Sequence, residues 1–336
     1  MNTSETYTAW DLFRAIDCRD AESVYKIVHS GDVDIESTTS LKANVLHKTS
    51  PNYFGKLDSA YTLTGLTPLH EAVRRGYSDI TELLIQAGAN IHATITCSMI
   101  ENDGRTAYSY GHRFTPLHFA AHVGDIRSAE MLLKAGANAE ELAVFDSTPM
   151  HVAGKNGQIV QLLQFAGANI EAQDSSGDTP LYNASEHEQP EIVEALLQAG
   201  ARPNYNNQAE SPLHRAAVHG NYSITKLLID AHADINAQSR LNRTPLHWAS
   251  HNGHKEVAKL LIDSGADVNI QDEYNKTSLN LALEKNQLEI AEIIRNAGGK
   301  LGTNQTSNMH QGNSINWRKI CLIIAVVIII LRSCCS

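Results

Sequence analysis

The chain has 336 residues, of which 42% are hydrophobic and 19% are charged, and its formal net charge is −10. This composition is typical of a soluble globular protein. Because 37 acidic residues outnumber 27 basic ones, the chain lacks the excess of Lys and Arg that binds nucleic-acid phosphates, and we expect no nucleic-acid partner.

The N-terminal segment, MNTSETYTAWDLF, lacks the basic start and apolar run of a secretory signal, so none is expected. Residues 1–8 are predicted to form a short tail before the first helix. The five cysteines, at positions 18, 97, 321, 334 and 335, are too sparse for a disulfide framework. This usage favours a reducing, cytosolic environment.

One ten-residue pattern recurs along the chain, and from Thr115 onward its copies begin 31 to 33 residues apart. A degenerate copy, WDLFRAIDCRDAESVYKIVHSGDVDI, precedes them at Trp10. The other copies are TPLHEAVRRG from Thr67, TPLHFAAHVG from Thr115, TPMHVAGKNG from Thr148, TPLYNASEHE from Thr179, SPLHRAAVHG from Ser211, TPLHWASHNG from Thr244 and TSLNLALEKN from Thr277.

Each copy predicts two short helices. In the copy from Thr244, that residue is a favourable N-cap, Pro245 suits the first helical position, and Gly253 ends the helix. A second helix follows through Val257 and ends at Gly265. Helices this short cannot bury their apolar faces alone, so neighbouring copies are expected to cover them.

The TPLH start, the paired alanines, the second-helix leucines and the GA(D/N) ending together resemble the ankyrin-repeat family, over roughly residues 9–301. The resemblance implies an all-α solenoid of about eight helix-turn-helix repeats with hairpin loops. It further implies a concave surface that binds a partner protein through the turn tips and the exposed edges of the first helices.

Five histidines share one position of the pattern: His70, His118, His151, His214 and His247. The resemblance implies that each bonds to its own Thr or Ser and to neighbouring backbone. Stacked repeats would hold these rings about 10 Å apart, whereas metal ligands lie about 2 Å from one centre, so we predict a structural role and no cofactor. An alternative zinc site at His247, His251 and His254 lacks a carboxylate or thiolate to complete it.

Two insertions interrupt the spacing, at about residues 36–66 and 92–114. The first is rich in Ser, Thr, Pro and Gly and is predicted to be a surface loop. In the second insertion, apolar or aromatic residues occupy alternate positions on both sides of a turn at Asp103 and Gly104, with Cys97 before the turn and Tyr110 after it. This pattern predicts a β-hairpin.

The residues predicted to contact a partner are aromatic or arginine side chains, the types that dominate interface energetics. The alternative is that exposed aromatic residues cap hydrophobic seams, with Trp248 packed between first helices. Arg74 and Arg75 are predicted to form a solvated edge. The predicted contact set is Tyr108, Tyr110, Phe114, Phe145, Arg243, Trp248 and Tyr274.

Residues 302–316 are small and polar and are predicted to be a flexible linker. They lead to a hydrophobic tail, residues 317–336, which as a helix over its apolar run spans about 18 Å against a hydrocarbon core near 30 Å. Insertion of its Ile, Leu and Val residues is nevertheless favourable by about 3 to 6 kcal/mol. We therefore predict a membrane anchor formed by Trp317, Ile320, Leu322, Ile323, Ile324, Val326, Val327, Ile328, Ile329, Ile330 and Leu331.

Cys334 and Cys335 are candidates for lipidation, which leaves open whether the tail spans the bilayer or is attached by acyl chains. A late core element or a strand is the alternative for this segment. Two basic residues before the apolar run, against one after it, favour a single-pass or tail-anchored protein with its repeats in the cytosol.

Together these patterns predict a protein–protein interaction scaffold tethered to a membrane, with no catalytic residues and no small-molecule substrate. No hydrolase, phosphate-binding, metalloprotease or kinase motif occurs in the sequence. The alternatives are an enzyme or effector whose activity is hosted by the inserted loops, and a pore formed by the tail, which lacks polar residues to line it.

Overall fold

The computed structural model describes residues 6–42, 61–100, 106–204 and 210–302. Within these ranges, fifteen α-helices form eight successive units, of which seven have two helices and the fourth has one. Each unit packs on the next through second helix against second helix and, except on either side of the fourth unit, through first helix against first helix.

Every first helix begins just after a Thr or Ser, and in the degenerate first unit that residue is Thr8, although the TPLH letters are missing there. In the seventh unit the Thr244 side chain accepts from the third helical backbone N–H, Pro245 is the first helical residue, and Gly253 ends the helix at φ 85°. The first helices are Ala9–Asp17 (α1), Pro68–Arg74 (α3), Pro116–Val123 (α5), Pro180–Glu186 (α8), Pro212–His219 (α10), Pro245–Asn252 (α12) and Ser278–Glu284 (α14).

The second helices are amphipathic and present one buried face to the first helices. In the seventh unit that face is formed by Val257, Ala258 and Leu261, and each of these side chains is at most 1% exposed. Full burial of such an aliphatic side chain contributes about 1.5 to 3 kcal/mol. The second helices are Ala21–Ser30 (α2), Ser78–Gln86 (α4), Ile126–Lys134 (α6), Gln158–Phe165 (α7), Pro190–Gln198 (α9), Tyr222–Asp230 (α11), Lys255–Asp263 (α13) and Leu288–Asn296 (α15).

The fourth unit departs from the prediction of two helices per copy. Residues 149–152 form turns in place of the first helix, and only α7 follows. The backbone at Gly154 lies directly against α5, because its N–H donates to the carbonyl of Ala121 at 3.1 Å. A Cβ atom at Gly154 would lie 2.8 Å from the carbonyl oxygen of His122, so this close approach requires glycine.

The insertions carry a four-stranded antiparallel sheet of order β1-β2-β3-β4. The predicted hairpin of the second insertion is present, since Cys97 pairs with Tyr110, whereas its predicted turn at Asp103 and Gly104 lies outside the described residues. The prediction of a surface loop for the first insertion is wrong at its two ends, which are strands that pair with each other, and the second of them also pairs with β3. The strands are Thr39–Lys42 (β1), Tyr61–Leu66 (β2), Ile95–Ile100 (β3) and Thr106–Phe114 (β4).

These hairpins are lengthened versions of the turns that precede the later units. In the short turns, the N–H of Ala143 donates to the carbonyl of Ser147 at 2.8 Å, and the N–H of Asp272 donates to that of Lys276 at 2.8 Å. The residue two places before the N-cap has a positive φ in every described turn: Gly65, Arg113, Asp146, Gly177, Asn242 and Asn275. The insertions therefore extend an existing turn and do not interrupt the stack.

A row of side-chain-to-backbone hydrogen bonds joins the segments that follow the C-terminal ends of the second helices. An acidic or amide side chain in one unit accepts from a backbone N–H in the next, as Glu140 does from Asn169 at 2.8 Å and Asn236 does from Asp267 at 2.8 Å. These bonds fasten consecutive units through the segments that lead from the second helices to the turns. In several copies the acceptor is an Asn or Glu two residues after the GA(D/N) ending, whereas the copy from Thr67 has His92 at that position.

Candidate functional site

The five pattern histidines bridge consecutive units. His247 lies with Nδ1 3.1 Å from the backbone N of Thr244 and Nε2 3.1 Å from the carbonyl oxygen of Lys276, just before the next N-cap. The Nε2 distances to the corresponding carbonyl oxygens of Phe114, Ser147, Asp178 and Arg243 are 3.2, 3.2, 3.0 and 2.9 Å for His70, His118, His151 and His214. The predicted structural role is confirmed, and we call this contact the histidine bridge.

The bridge requires a neutral ring. A carbonyl can only accept, so Nε2 carries the proton, and Nδ1 then accepts from the backbone N–H of the N-cap residue. Burial lowers the pKa of His70 and that of His118 to about 4, and burial likewise lowers the pKa of His151, His214 and His247. A second proton would remove the Nδ1 acceptor and break the bond to the N-cap.

The three histidines of the alternative zinc site point to different acceptors. Nε2 of His247 contacts the Lys276 carbonyl, Nδ1 of His251 contacts the Asn252 side chain at 2.8 Å, and Nε2 of His254 contacts the Val218 carbonyl at 2.9 Å. In the described ranges no group of three or more His, Cys, Asp or Glu side chains is arranged to hold a metal ion. The arrangement therefore offers no zinc centre at this position.

The fifth unit replaces the histidine bridge with an ion-pair network. Tyr182 occupies the histidine position, and next to it Arg215 of α10 donates to Glu186 of α8 and, at 2.9 Å, to Glu210. Nε2 of His219 lies 3.2 Å from the same Glu186 carboxylate. The network thus joins α8 to α10 by ion pairs, whereas the fourth and sixth units are each joined to the next unit by a histidine bridge.

Burial and charge act in opposite directions in this network. Burial raises the pKa of Glu186, but hydrogen bonds and charge from Arg215 outweigh it and hold that pKa below its usual range. Burial raises the pKa of Tyr182, so its phenol stays protonated. Sequence analysis did not find this cluster, although the TPLY substitution marks its position.

Three of the predicted contact residues lie together at the seventh and eighth units. The guanidinium of Arg243 lies over the Trp248 ring, 5.0 Å from its centroid, and Nε of Arg243 is 3.2 Å from the buried carboxylate of Asp272. Tyr274 follows in the same turn and is 52% exposed. Trp248 is partly buried and packs against the core, as the alternative interpretation expected, but it also lines this cluster.

The remaining predicted contacts differ in exposure. Phe145 is 64% exposed in a turn where its own φ is 56°, an unusual conformation for a bulky residue. Phe114 is only 2% exposed and packs edge-on against His118, so its predicted role in partner contact is corrected to one in the core. The side chains of Tyr108 and Tyr110 lie outside the described residues.

Arg74 and Arg75 do not form a solvated edge as predicted. Arg74 is 6% exposed and makes two hydrogen bonds, at 2.9 and 2.7 Å, to the carboxylate of Glu71. Arg75 donates to the same carboxylate at 2.6 Å and also to Asp17 of the first unit. The pair is therefore a structural link between α1 and α3.

We define the inner strip as Tyr182, Glu186, Arg215, Trp248 and Tyr274, the partly exposed side chains of the first helices and the last turn. Adjacent first helices α8, α10 and α12 pack directly on one another, so the first four of these side chains lie on neighbouring units, and Tyr274 lies in the turn before α14. The inner strip combines aromatic rings with ion pairs whose positions are held by neighbouring units. Such a surface suits the binding of another protein chain.

A family model described as ankyrin repeats in three copies matches residues 12–140, 117–207, 150–239 and 213–305. Among curated proteins, human ankyrin repeat and SOCS box protein 11 is 31% identical over 105 residues, covering 30% of this chain and 32% of that protein. Human NF-kappa-B inhibitor alpha is 37% identical over 102 residues, covering 27% of this chain and 32% of that protein. The chain spans about a third of the length of these relatives.

Among solved structures, the crystal structure of the human ASB11 ankyrin repeat domain superposes with a TM-score of 0.58 at 26% sequence identity. The match covers 70% of this chain and 99% of that chain. Residues 43–60 and 101–105 of the inserted loops, where an activity was the alternative prediction, lie outside the described residues.

Proposed function

The chain belongs to the ankyrin-repeat family, and we propose that it is a scaffold that binds a partner protein on the inner strip and is held at a membrane by residues 317–336. The observation that carries the binding part is the cluster of Arg243, Trp248 and Tyr274. Trp, Tyr and Arg are the residue types most enriched at energetic centres of protein interfaces.

The Arg243 side chain of this cluster is already ordered in the absence of a partner. Asp272 and the Trp248 ring hold Arg243, whose side chain is 15% exposed, so little rotamer freedom remains to be lost on binding. Binding ordinarily costs about 0.5 to 1.5 kcal/mol for each long side chain that becomes ordered. A partner that contacts this cluster avoids most of that cost.

The membrane part of the proposal rests on the sequence of residues 317–336, which lies outside the described residues. Within those residues no helix is long and apolar enough to cross a membrane. The tail supplies an uninterrupted apolar run from Ile320 to Leu331 behind a basic border of Arg318 and Lys319. Anchoring would raise the effective concentration of the array near membrane-bound partners.

The binding surface can be tested by in-cell cross-linking with the full chain, followed by identification of captured proteins. The variant Tyr274→Ala combined with Trp248→Phe is expected to reduce capture about ten-fold or more, because it removes two anchors. Phe165→Ala is the matched control, since Phe165 is 91% exposed on the opposite, second-helix side. Equal capture by both variants, with unchanged thermal unfolding, would exclude the inner strip as the site.

The anchor can be tested by membrane fractionation with alkaline carbonate. Ile328→Asp combined with Ile329→Asp is expected to release the protein, because a charged residue at the bilayer centre costs about 2.5 to 3.5 kcal/mol. Ile328→Leu combined with Ile329→Leu keeps the run apolar and should stay with the membrane. Membrane retention of the aspartate variant would refute an apolar anchor.

A further inference from the structure

We propose that the basic border of the C-terminal tail, residues 317–319, docks in a groove between α9 and α11 of the same chain. The groove lies on the second-helix side of the fifth and sixth units. This docking is a contact within the chain and requires no partner protein. Only its consequence for the orientation of a membrane-bound array rests on the proposed function.

The groove has a volume of about 340 Å³, at the lower end of the range that holds small ligands. Its walls include Pro190 at the start of α9 and Tyr222 at the start of α11. Tyr222 is 48% exposed, so an aromatic ring borders the opening. Ser223 also lines the groove, whereas the equivalent second position of α13 and of α15 is a glutamate. The small serine therefore leaves room between the two helices.

Two carboxylates on the α9 wall of the groove have no cationic partner among the residues that the structure describes. Glu191 and Glu194 are both exposed, and Glu194 accepts from the neutral Gln198 amide at 3.2 Å. Lys226 on the α11 wall is bound to Asp230 of its own helix at 3.0 Å. The lining of the groove therefore carries an uncompensated negative charge.

The second helices beside the groove do not supply the missing cations. On α13, Lys255 is bound to Glu289 at 2.7 Å and Lys259 is bound to Asp263 at 3.1 Å. On the other side, α7 has the sequence QIVQLLQF and carries no charged residue. The groove therefore favours a basic segment, because its negative charge is not cancelled by its neighbours.

The border of the tail matches the groove in composition. Trp317, Arg318 and Lys319 combine one aromatic ring with two positive charges. Arg and Lys pair with carboxylates, and an indole ring packs well on apolar and aromatic side chains. Among the other segments outside the described residues, 1–5 and 205–209 contain no Lys or Arg, and 43–60 and 101–105 begin and end at strands between the first three units.

The length of chain after Gly302 allows this contact. Gly302 is fixed at the last unit, where its N–H donates to the Asn280 side chain at 2.8 Å. The groove lies between the fifth and sixth units, about 20 to 30 Å away at about 10 Å per unit. Residues 303–316 are small and polar, and a segment of this length spans about 20 Å on average and about 46 Å when extended. The match of average span to distance gives a high effective concentration for docking.

Docking fixes where the tail leaves the array. The apolar run begins at Ile320, directly after Lys319. In a membrane-bound chain, the second-helix side of the fifth and sixth units therefore faces the bilayer, and the inner strip faces away from it. The contact keeps the proposed partner surface open.

The test uses the purified full chain in detergent and a carbodiimide, which forms an amide between a lysine amine and a carboxylate in contact with it. Mass spectrometry of mixed unlabelled and isotope-labelled chains separates cross-links within one chain from those between two. Lys319 is expected to couple within its own chain to Glu191 or Glu194. Coupling to Glu256 or Glu292 should be about five times rarer, although these exposed residues of α13 and α15 lie nearer to the start of the tail.

Two variants that add the same charge separate the groove from the rest of the second-helix surface. Ser223→Lys places a cation in the groove and should reduce the Lys319 cross-link about five-fold by competition. Asn296→Lys is the matched control, because it adds the same charge at the exposed end of α15 and should leave the cross-link unchanged. Both positions are exposed, and thermal unfolding checks that both variants remain folded.

Four results would overturn the inference: no coupling of Lys319, equal coupling to the glutamates of α13 and α15, coupling only between two chains, or equal loss in the two lysine variants. The cross-link forms without a bilayer, whereas alkaline carbonate measures the anchor alone. A failure of docking therefore leaves the membrane anchor standing, and a failure of the anchor leaves the docking result unchanged.

Discussion

The seventh unit has both a first helix and a histidine bridge, whereas the fourth unit lacks the helix and the fifth lacks the bridge. The fourth has no first helix, yet Nε2 of His151 still reaches the Asp178 carbonyl oxygen at 3.0 Å. The fifth keeps its first helix but has Tyr182 in place of the histidine, and Arg215 joins α8 to α10 instead. The helix and the bridge are therefore separable, and the stack continues through the loss of either.

Acid should lower the free energy of unfolding most, since it acts on every histidine bridge at once. The fifth unit has no histidine bridge and is not affected in this way. The pKa values of His70, His118 and the buried His122 are about 4 in the folded chain, below the ordinary value of 6.5. The unfolded chain therefore binds more protons between these values. Stability is complete above about pH 6.5 and falls below it, by up to about 1.4 kcal/mol per pH unit for each histidine.

Urea unfolding at pH 7.5, 6.5, 5.5 and 4.5 measures this loss. His118→Asn is a suitable comparison, because Asn280 holds the same position in the last unit and its side-chain oxygen accepts from the Thr277 N–H at 3.0 Å. That variant should lose less stability on acidification. A free energy of unfolding that stays constant or rises as the pH falls from 6.5 to 4.5 would contradict the assignment of neutral rings.

Gly154→Ala should destabilise the fourth unit by about 2 kcal/mol. The added Cβ would lie 2.8 Å from the His122 carbonyl oxygen, and backbone must move to relieve the contact. Ser250→Ala changes the same position in the seventh unit, where the buried hydroxyl has no hydrogen-bond partner, and should be close to neutral. Equal costs measured by thermal unfolding would show that the turns of the fourth unit are not close-packed.

Arg215→Met tests whether the ion-pair network replaces the bridge in the fifth unit. It leaves Glu186 and Glu210 without their cation, and we expect a loss of about 1 to 2 kcal/mol in the free energy of unfolding. Arg202→Met breaks the 3.5 Å ion pair between a guanidinium that is 64% exposed and Glu171, and should cost less, about 0.5 kcal/mol. A double-mutant cycle with Glu186→Gln isolates the coupling, and a coupling near zero would refute the replacement.

The smallest expected effect concerns the turns. Arg113 has a φ of 47° at a position where Asn242 and Asn275 are found in regular units, and Asn tolerates this conformation better than Arg. Arg113→Asn should therefore raise the free energy of unfolding by about 0.5 kcal/mol, despite the loss of an exposed pair with Glu141. The reverse change, Asn242→Arg, should lower it by a similar amount, and changes of the opposite sign would show that the backbone strain is not important.

The features predicted correctly from sequence are those set by contacts within a few residues. Thr244 caps its helix, Pro245 begins it and Gly253 ends it because each depends on the local backbone alone. The hairpin of β3 and β4 follows from alternation on both sides of a turn. The role of the histidines was implied by the family resemblance, and the identity of the bridge acceptors came from the structure.

The errors have a common cause in contacts between units. TPMHVAGKNG contains the helix-start letters, but the close approach of Gly154 to the end of α5 leaves turns where a helix was predicted. Arginine is usually exposed, yet Arg74 is buried by Glu71 and the neighbouring unit. Phe114 was predicted to contact a partner because it is aromatic, and it packs inward on His118 instead.

The sequence by itself determined the number of units, the ends of most helices and the positions of the turns, because a repeated local pattern carries that information in each copy. Only the tertiary structure decided that two distant insertions join in one sheet, that Arg215 substitutes for a missing bridge, and which aromatic residues remain exposed. These depend on what the next unit places against a residue, and short-range preferences do not encode the packing of one unit on another.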